Sequence, residues 1–327
     1  MDAGAHRLNH RLHDPGRGLH LAGMALPIVH HPDYDAQFPA HHRFPMGKYS
    51  LIMEALRSRG LASPQTLVEP EPVPATWLKL AHDHAYVDSV LACAVDPAIE
   101  KEIGFPVSAR VARRAHMATS GTVAAARIAL DRGLACNTAG GSHHARRARG
   151  AGFCTLNDVG VAASVFLAEG VVRRVLVVDL DVHQGDGTAD IFSGEPRVFT
   201  FSMHCGSNYP ARKIASDLDV DLPDRLGDDA YLAQLADVLP GLLDRVRPDL
   251  VFYNAGVDPH RDDKLGRLAL SDDGLRRRDR MVLQFFRDRS VPLCGVIGGG
   301  YGNDVAAIAA RHAILFEEAD AVSRGDS

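Results

Sequence analysis

The chain of 327 residues lacks any cysteine pair spaced as a metal clip or redox motif. Its five cysteines, at 93, 136, 154, 205 and 294, are scattered and odd in number, which excludes a disulfide framework and points to a reducing, cytoplasmic setting. No apolar run approaches the roughly 18–20 residues that a membrane span needs. No secretory leader is expected, because the first 23 residues are rich in His, Arg and Gly and have no apolar core. Positive charge is not in excess. The net charge of −5 gives no support for nucleic-acid or anionic-membrane binding, and it would not repel a cationic substrate. No internal repeat is visible, and no interior stretch is rich enough in Pro, Gly or Ser to act as a linker between domains.

What remains is an ordinary globular profile, 46% hydrophobic and 24% charged. Residues 1–23 hold four histidines (His6, His10, His13, His20) and no regular apolar period. A disordered N-terminal extension is expected there, with adventitious metal binding as the alternative and Met24 as a candidate start. Short apolar runs then alternate with helical stretches. Strands are expected at 25–29, 67–69, 134–137, from Val175, at 198–203, 250–254 and 291–297. Helices are expected at 50–59, 77–95, from the cap Ser108 to Asp131 with Gly133 as its stop, 157–169, 231–246, from the cap Ser271 to 289, and from Asp304. Arg110, Arg113 and Arg114 read as a solvated helix face, and His82 and His84 as surface or cap residues. Alternating strands and helices argue for an α/β fold in one domain, about residues 24–322, with a doubly wound, mostly parallel sheet flanked by helices.

The stretch Val175 to Gly187, VLVVDLDVHQGDG, organises the rest. Its four leading apolar residues, three of them β-branched, read as a buried parallel strand. Its polar end falls where open α/β sheets place their ligands. Asp179, Asp181 and His183 alternate, which on an extended segment turns all three to one side. Other unusual residues also fall just past strand ends: His143-His144, Asp258, and Gly298-Gly299-Gly300-Tyr301. Two Asp and one His form a set suited to zinc or another borderline divalent ion, and Asp181, His183 and Asp258 are taken as ligands. Asp179 and Asp186 suit a role behind the histidines, orienting their rings. His143 and His144 supply a base to activate water and an acid for a leaving amine. Tyr301, freed by three glycines, can donate to a developing oxyanion. Taken singly these features have plain readings: an incidental histidine pair, an Asx turn at Asp258, a flexible or phosphate-binding glycine loop, a packing tyrosine. Taken together they point to metal-assisted amide hydrolysis.

These residues resemble the zinc-dependent histone deacetylase family of the arginase/deacetylase superfamily. The resemblance is carried by GGSHHARRARGAGFCTLND, VVDLDVHQGDG, YNAGVDPHRDDKLGRLALS and GGGY, spread over residues 138–301. HPDYDAQFP, DLDVHQGDG and YNAGVDPHRDDKLGRL look most like class IV and its prokaryotic relatives. The resemblance implies zinc, with ferrous iron as the other candidate, on Asp181, His183 and Asp258. It implies that Asp179 supports His143, that Asp186 supports His144, and that Tyr301 is the oxyanion donor. It implies that Gly152, Phe153, Tyr209 and Leu265 wall a narrow substrate channel. It further implies a structural potassium held through Asp179, Asp181, His183, Ser202 and Met203.

The sequence departs from the family pattern at Ala139-Gly140-Gly141-Ser142, where Arg-Pro-Pro-Gly is usual, and at Gln184, where most classes have His. Glu102 is the one candidate for the acidic rim residue of some classes. The implied activity is a metal-dependent amidohydrolase removing acetyl or longer acyl groups from lysine side chains, polyamines or other acyl-amines. Two rivals stand beside it. A binuclear ureohydrolase of the arginase type would need further carboxylates where Gln184 and Pro259-His260 occur. A non-catalytic acyl-amine binding protein would be expected to have lost a ligand or Tyr301.

Overall fold

The computed structural model describes residues 24–39 and 42–325, so the extension expected over residues 1–23 lies outside the described residues. In chain order the elements are β1 (Ile28–Val29), α1 (Lys48–Ser58), β2 (Leu67–Val68), α2 (Ala75–Ala81), α3 (His84–Leu91), α4 (Pro97–Ile103), α5 (Ala109–Arg132), β3 (Leu134–Asn137), α6 (Asp158–Ala168), β4 (Val175–Asp179), α7 (Asp186–Phe192), β5 (Val198–Cys205), β6 (Leu218–Leu222), α8 (Asp228–Val246), β7 (Leu250–Asn254), α9 (Asp272–Arg287), β8 (Leu293–Val296) and α10 (Val305–Arg324). The eight strands form one sheet in the order β2-β1-β3-β8-β7-β4-β5-β6, with every pairing parallel. Parallel strands need crossover connections, and the helices supply them while covering the sheet.

The central strands β3, β4, β7 and β8 are buried along their whole length. Each apolar side chain placed there contributes on the order of 2 kcal/mol of hydrophobic stabilisation. That burial explains why these strands read as continuous apolar runs rather than alternating ones. Helix ends follow their local chemistry. The Ser108 hydroxyl accepts from the Val111 amide to start α5, and Gly133, at φ +81°, ends it in a conformation that costs glycine little. Ser271 caps α9 through the Gly274 amide, and Asp304 caps α10 through the Ala307 amide.

The register aligns the strand ends. Asp179 of β4 lies beside Asn254 of β7 and Ser202 of β5, and Asn254 lies beside Val296 of β8. The four loops that leave β3, β4, β7 and β8 therefore open along one edge of the sheet.

Several expectations are corrected. The helix expected over 77–95 is two helices, broken at His82-Asp83, where the His82 ring turns inward to the Arg146 carbonyl (2.9 Å) and the Asn157 amide (2.9 Å). His82 is thus a buried structural residue rather than a surface or cap one. Arg114 is also buried, its guanidinium over the Tyr49 ring and bonded to the Tyr49 hydroxyl, so only Arg110 and Arg113 of that run are solvated. Elements α4, α7 and β6 carry no expectation from the sequence. The alternation of Asp179, Asp181 and His183 does not lie on an extended segment. The strand ends at Asp179, and residues 180–185 bend, with the Asp181 amide donating to Asp179 Oδ1 (3.2 Å) and the His183 amide to Asp181 Oδ1 (3.0 Å).

Candidate active site

The loop after β3 carries His143 and His144 to the sheet edge. Asp158, at the start of α6, fastens that loop: its carboxylate accepts from the Gly141 amide (3.1 Å), the Ser142 amide (2.8 Å) and the Thr122 hydroxyl (2.6 Å). These bonds supply an anchor where the family's prolines are absent. The sequence reading missed Asp158, which there is only one of the first residues of an expected helix.

His143 Nδ1 lies 2.7 Å from Asp179 Oδ2, and His144 Nδ1 lies 2.6 Å from Asp186 Oδ1. Asp186 Oδ2 in turn accepts two bonds from Arg146, at 2.9 and 2.7 Å. Burial favours the neutral form of Asp186, but the bonds from His144 and Arg146 hold its carboxyl below the usual range. An ionised carboxylate only accepts, so the ring protons facing Asp186 and Asp179 sit on Nδ1. Asn254 also donates to Asp179, at 2.9 Å, fixing the aspartate from the neighbouring strand.

The two histidines differ. Burial and the charge on His143 push His144 down to about 4. Burial opposes charge on His143 as well, but Asp179 and Asp181 raise it to about 9.

Asp181, His183 and Asp258 bring one potential ligand atom each to within 4.8 Å of one another, all buried. His183 Nδ1 is 3.0 Å from Asp181 Oδ1 and 3.1 Å from Asp258 Oδ2. Burial and the Asp181 carboxylate push Asp258 up to about 7. Against burial, the two carboxylates raise His183 to about 10. Two acids crowded in a dry pocket demand positive charge, which a divalent cation satisfies. Gly256 and Gly299 back these acids so closely that an added Cβ would overlap the Asp181 and Asp258 carboxylates. The glycines thus form a cradle around the carboxylates.

This is the one such group among the described residues. Gln184 is turned away, its amide donating to the Ile214 carbonyl and to Asp219, while Asp262 pairs with Arg311 at the surface. The additional carboxylates that a binuclear ureohydrolase needs are therefore not gathered here.

A cavity of about 380 Å³ leads from the surface to this cluster, with His144, His183 and Tyr301 at its inner end. Gly152, Phe153, Tyr209 and Leu265 all line it. The Tyr209 ring stands edge-on to His144 at 4.8 Å, and Phe153 lies 5.6 Å from Tyr301. Tyr301 sits 6.1 Å, ring to ring, from His183, its amide held by Asp263 (2.6 Å). Burial, and then Asp258 and Asp181, hold its phenol protonated well above the usual range. Glu102 reaches the cavity lining, paired with Arg149 at 2.9 Å. Ser202 and Met203 follow on β5, buried beside Asp179, with the Ser202 hydroxyl 2.9 Å from His204 Nδ1.

The sequence reading also missed Lys48, fully buried behind Tyr301. Its ammonium donates to the Gly298 carbonyl (3.2 Å) and faces His312 Nε2 (3.3 Å) and the rings of Phe44, Tyr49 and Tyr301. Burial lowers it to about 8. Nothing local in Gly-Lys-Tyr signals that burial.

No helix among the described residues is long and apolar enough to cross a membrane. Comparison with known proteins agrees with the geometry. The histone deacetylase domain matches residues 42–315. An uncharacterized protein of Picosynechococcus sp. is 47% identical over 90% of this chain and 99% of its own. Histone deacetylase 2 of Arabidopsis thaliana is 31% identical over 86% of this chain and 76% of its own. A probable deacetylase of Archaeoglobus fulgidus is 28% identical over 85% and 82%. Among solved structures, the HDA15 HD domain superposes with a TM-score of 0.75 (22% identity, 89% and 90% covered). Acetylpolyamine aminohydrolase from Burkholderia pseudomallei superposes at 0.72 (22% identity, 91% and 99% covered). With the arginase/deacetylase α/β fold and a domain match spanning most of its length, the chain belongs to the histone deacetylase family of amide hydrolases.

Proposed function

We propose that this chain removes acetyl or longer acyl groups from lysine side chains or related acyl-amines, with a divalent ion held by Asp181, His183 and Asp258. One observation carries the reading: three buried ligand atoms from two loops, far apart in sequence, converge at the inner end of a narrow channel. The donor set, one imidazole and two carboxylates, suits zinc or ferrous iron and leaves positions open for water and substrate. When bound, such an ion supplies Lewis acidity, polarising the acyl carbonyl and bringing the pKa of a water to about 7.

The rest is the work of the protein. Gly152, Phe153, Tyr209 and Leu265 enclose the alkyl chain and exclude water. His144, neutral and held by Asp186, takes the proton of the attacking water at Nε2. His143, charged and held by Asp179, gives its proton to the leaving amine. The Tyr301 hydroxyl donates to the tetrahedral oxyanion. Residues 24–322 act as one catalytic domain, and Asp179, Asp181, His183, Ser202 and Met203 would hold a structural potassium, a reading supported by the Asp179–Ser202 register. A cytoplasmic setting fits the five unpaired cysteines.

The test is metal content and hydrolysis measured on one purified sample, with acetyl-lysine peptide, long-chain acyl-lysine peptide and acetylated polyamine as substrates. The expected result is one metal per chain and turnover that disappears in His144→Ala. Two metals per chain without deacylation would overturn the reading.

A further inference from the structure

The chain is acidic as a whole, yet the mouth of its channel is basic. Arg43, Lys101 and Arg267 line the cavity and are exposed. Lys264 and Arg43 line an adjoining hollow of about 550 Å³ that shares Leu265 and Tyr301 with the channel. The acids nearby are already engaged. Glu102 is paired with Arg149. Asp263 turns inward, its carboxylate accepting from the amides of Leu265 (2.8 Å), Gly266 (2.9 Å) and Tyr301 (2.6 Å). Asp224 faces Arg267 at 3.6 Å. Arg43, Lys101 and Lys264 have no ion-pair partner among the described residues.

The scissile amide is neutral, so charge selection must come from the groups that flank it at the mouth. Unpaired cations around a cleft concentrate anions there and repel cations, and the effect weakens as salt screens it. The net charge of −5 does not describe the surface that a substrate meets. An acetylated polyamine would bring its remaining ammonium groups against Arg43 and Lys101. An acyl-lysine flanked by Asp or Glu would bring carboxylates to them.

We infer that the channel mouth selects acyl-lysine side chains in acidic peptide segments and discriminates against acetylated polyamines. The inference rests on the deacylase reading above and names its substrate class.

The test compares three acyl-lysine peptides that differ only in their flanks (acidic, neutral, basic), together with N-acetylputrescine. Each is assayed at about 20 mM and about 0.5 M sodium chloride, where the screening length falls from roughly 20 Å to about 4 Å. At low salt the acidic peptide should exceed the basic one in kcat/KM by about tenfold, within the range that electrostatic steering supplies. The advantage should shrink toward parity at high salt and reverse in the double variant Arg43→Glu/Lys101→Glu. Equal or reversed preference at low salt, a preference that salt leaves untouched, or faster turnover of N-acetylputrescine than of the acidic peptide would overturn the inference. If no substrate is turned over, including the neutral peptide, the deacylase reading fails. Fluorescence anisotropy with labelled acidic and basic peptides then decides the charge inference separately. Tighter binding of the acidic peptide at low salt supports it, and any other order overturns it.

Discussion

Replacing Gly299 by alanine should weaken metal binding by about 100-fold or more while leaving the protein folded. The Gly299 amide donates to Asp181 Oδ2 at 2.7 Å, so the backbone here lies against the carboxylates. A Cβ at this position would stand 2.8 Å from Asp181 Oδ2 and 2.9 Å from Asp258 Cγ, and closer still to Asp258 Oδ2, where ordinary contacts begin at 3.4 Å. The backbone angle is not the obstacle, because Gly299 is absent from the positive-φ glycines. The neighbours must move by several tenths of an ångström, and Asp258 is tied by its bonds to the Val182 amide (2.9 Å) and to His183 (3.1 Å).

Metal sites tolerate distance errors of about 0.2 Å, and loss of a mere supporting contact costs about 10–100-fold in affinity. Displacing two ligands together should raise the metal Kd by about 100-fold or more, or about 2.7 kcal/mol. Overpacking should cost the fold a further 1–3 kcal/mol or so. The assay is competition of the apo protein against a chelator of known affinity, with thermal unfolding run in parallel. Gly241→Ala is the control: it lies within α8 with nothing within 4 Å of the new methyl. That variant should gain roughly 0.5–1 kcal/mol of stability and keep its metal. A folded Gly299→Ala protein with a metal Kd within about threefold of wild type would refute the proposed placement of the ligands, since even a lost supporting contact costs about tenfold.

Tyr301→Phe should lower kcat by about 100–1000-fold with metal content unchanged, if the phenol, which has no hydrogen-bond partner among the described residues, donates to the oxyanion as proposed; near-wild-type turnover would sink that assigned role. Lys48 should make stability rise with alkaline pH. Its pKa falls from 10.5 unfolded to about 8 folded, so below pH 8 both states are protonated and the fold bears the full penalty, about 3 kcal/mol. Between about pH 8 and 10.5 the unfolded chain holds more protons and that penalty is relieved. Urea unfolding of wild type and Lys48→Met across this range should show a stability difference that changes by about that amount, and a flat difference would refute the buried, depressed ammonium.

Much of the fold was legible along the chain. Leu134–Asn137 and Leu250–Asn254 are strands at the residues expected, because a fully buried strand is a short apolar run closed by polar or glycine residues. Ser108 and Ser271 cap helices as expected, and the last helix begins beside Asp304 as expected, because capping joins residues only two or three apart. Elements escaped where that local signal was weak. Strand β6 sits at the sheet edge and only its last residue is buried, so LDVDL reads as loop, and α7 hides behind Gly185 and Gly187.

The motif residues stood out in the sequence by their types and their places after strand ends, and the structure brings Asp181, His183 and Asp258 together as the sequence suggested. The supporting residues did not stand out. Lys48, His82, Arg114, Asp158 and His312 look like surface residues in their own segments, and only packing against remote partners buries them. Lys48 meets Gly298 across 250 positions, and His82 meets Asn157 across 75. The charge at the channel mouth is of the same kind. The sequence by itself determined the buried strands, the serine caps and the places of the motif residues after strand ends, because each is set by neighbours along the chain. Only the tertiary structure decided which polar groups are dry, which acids are already paired, and that an acidic protein lines the mouth of its cavity with cations, because solvation and Coulomb energies depend on distances between residues that the chain order keeps apart.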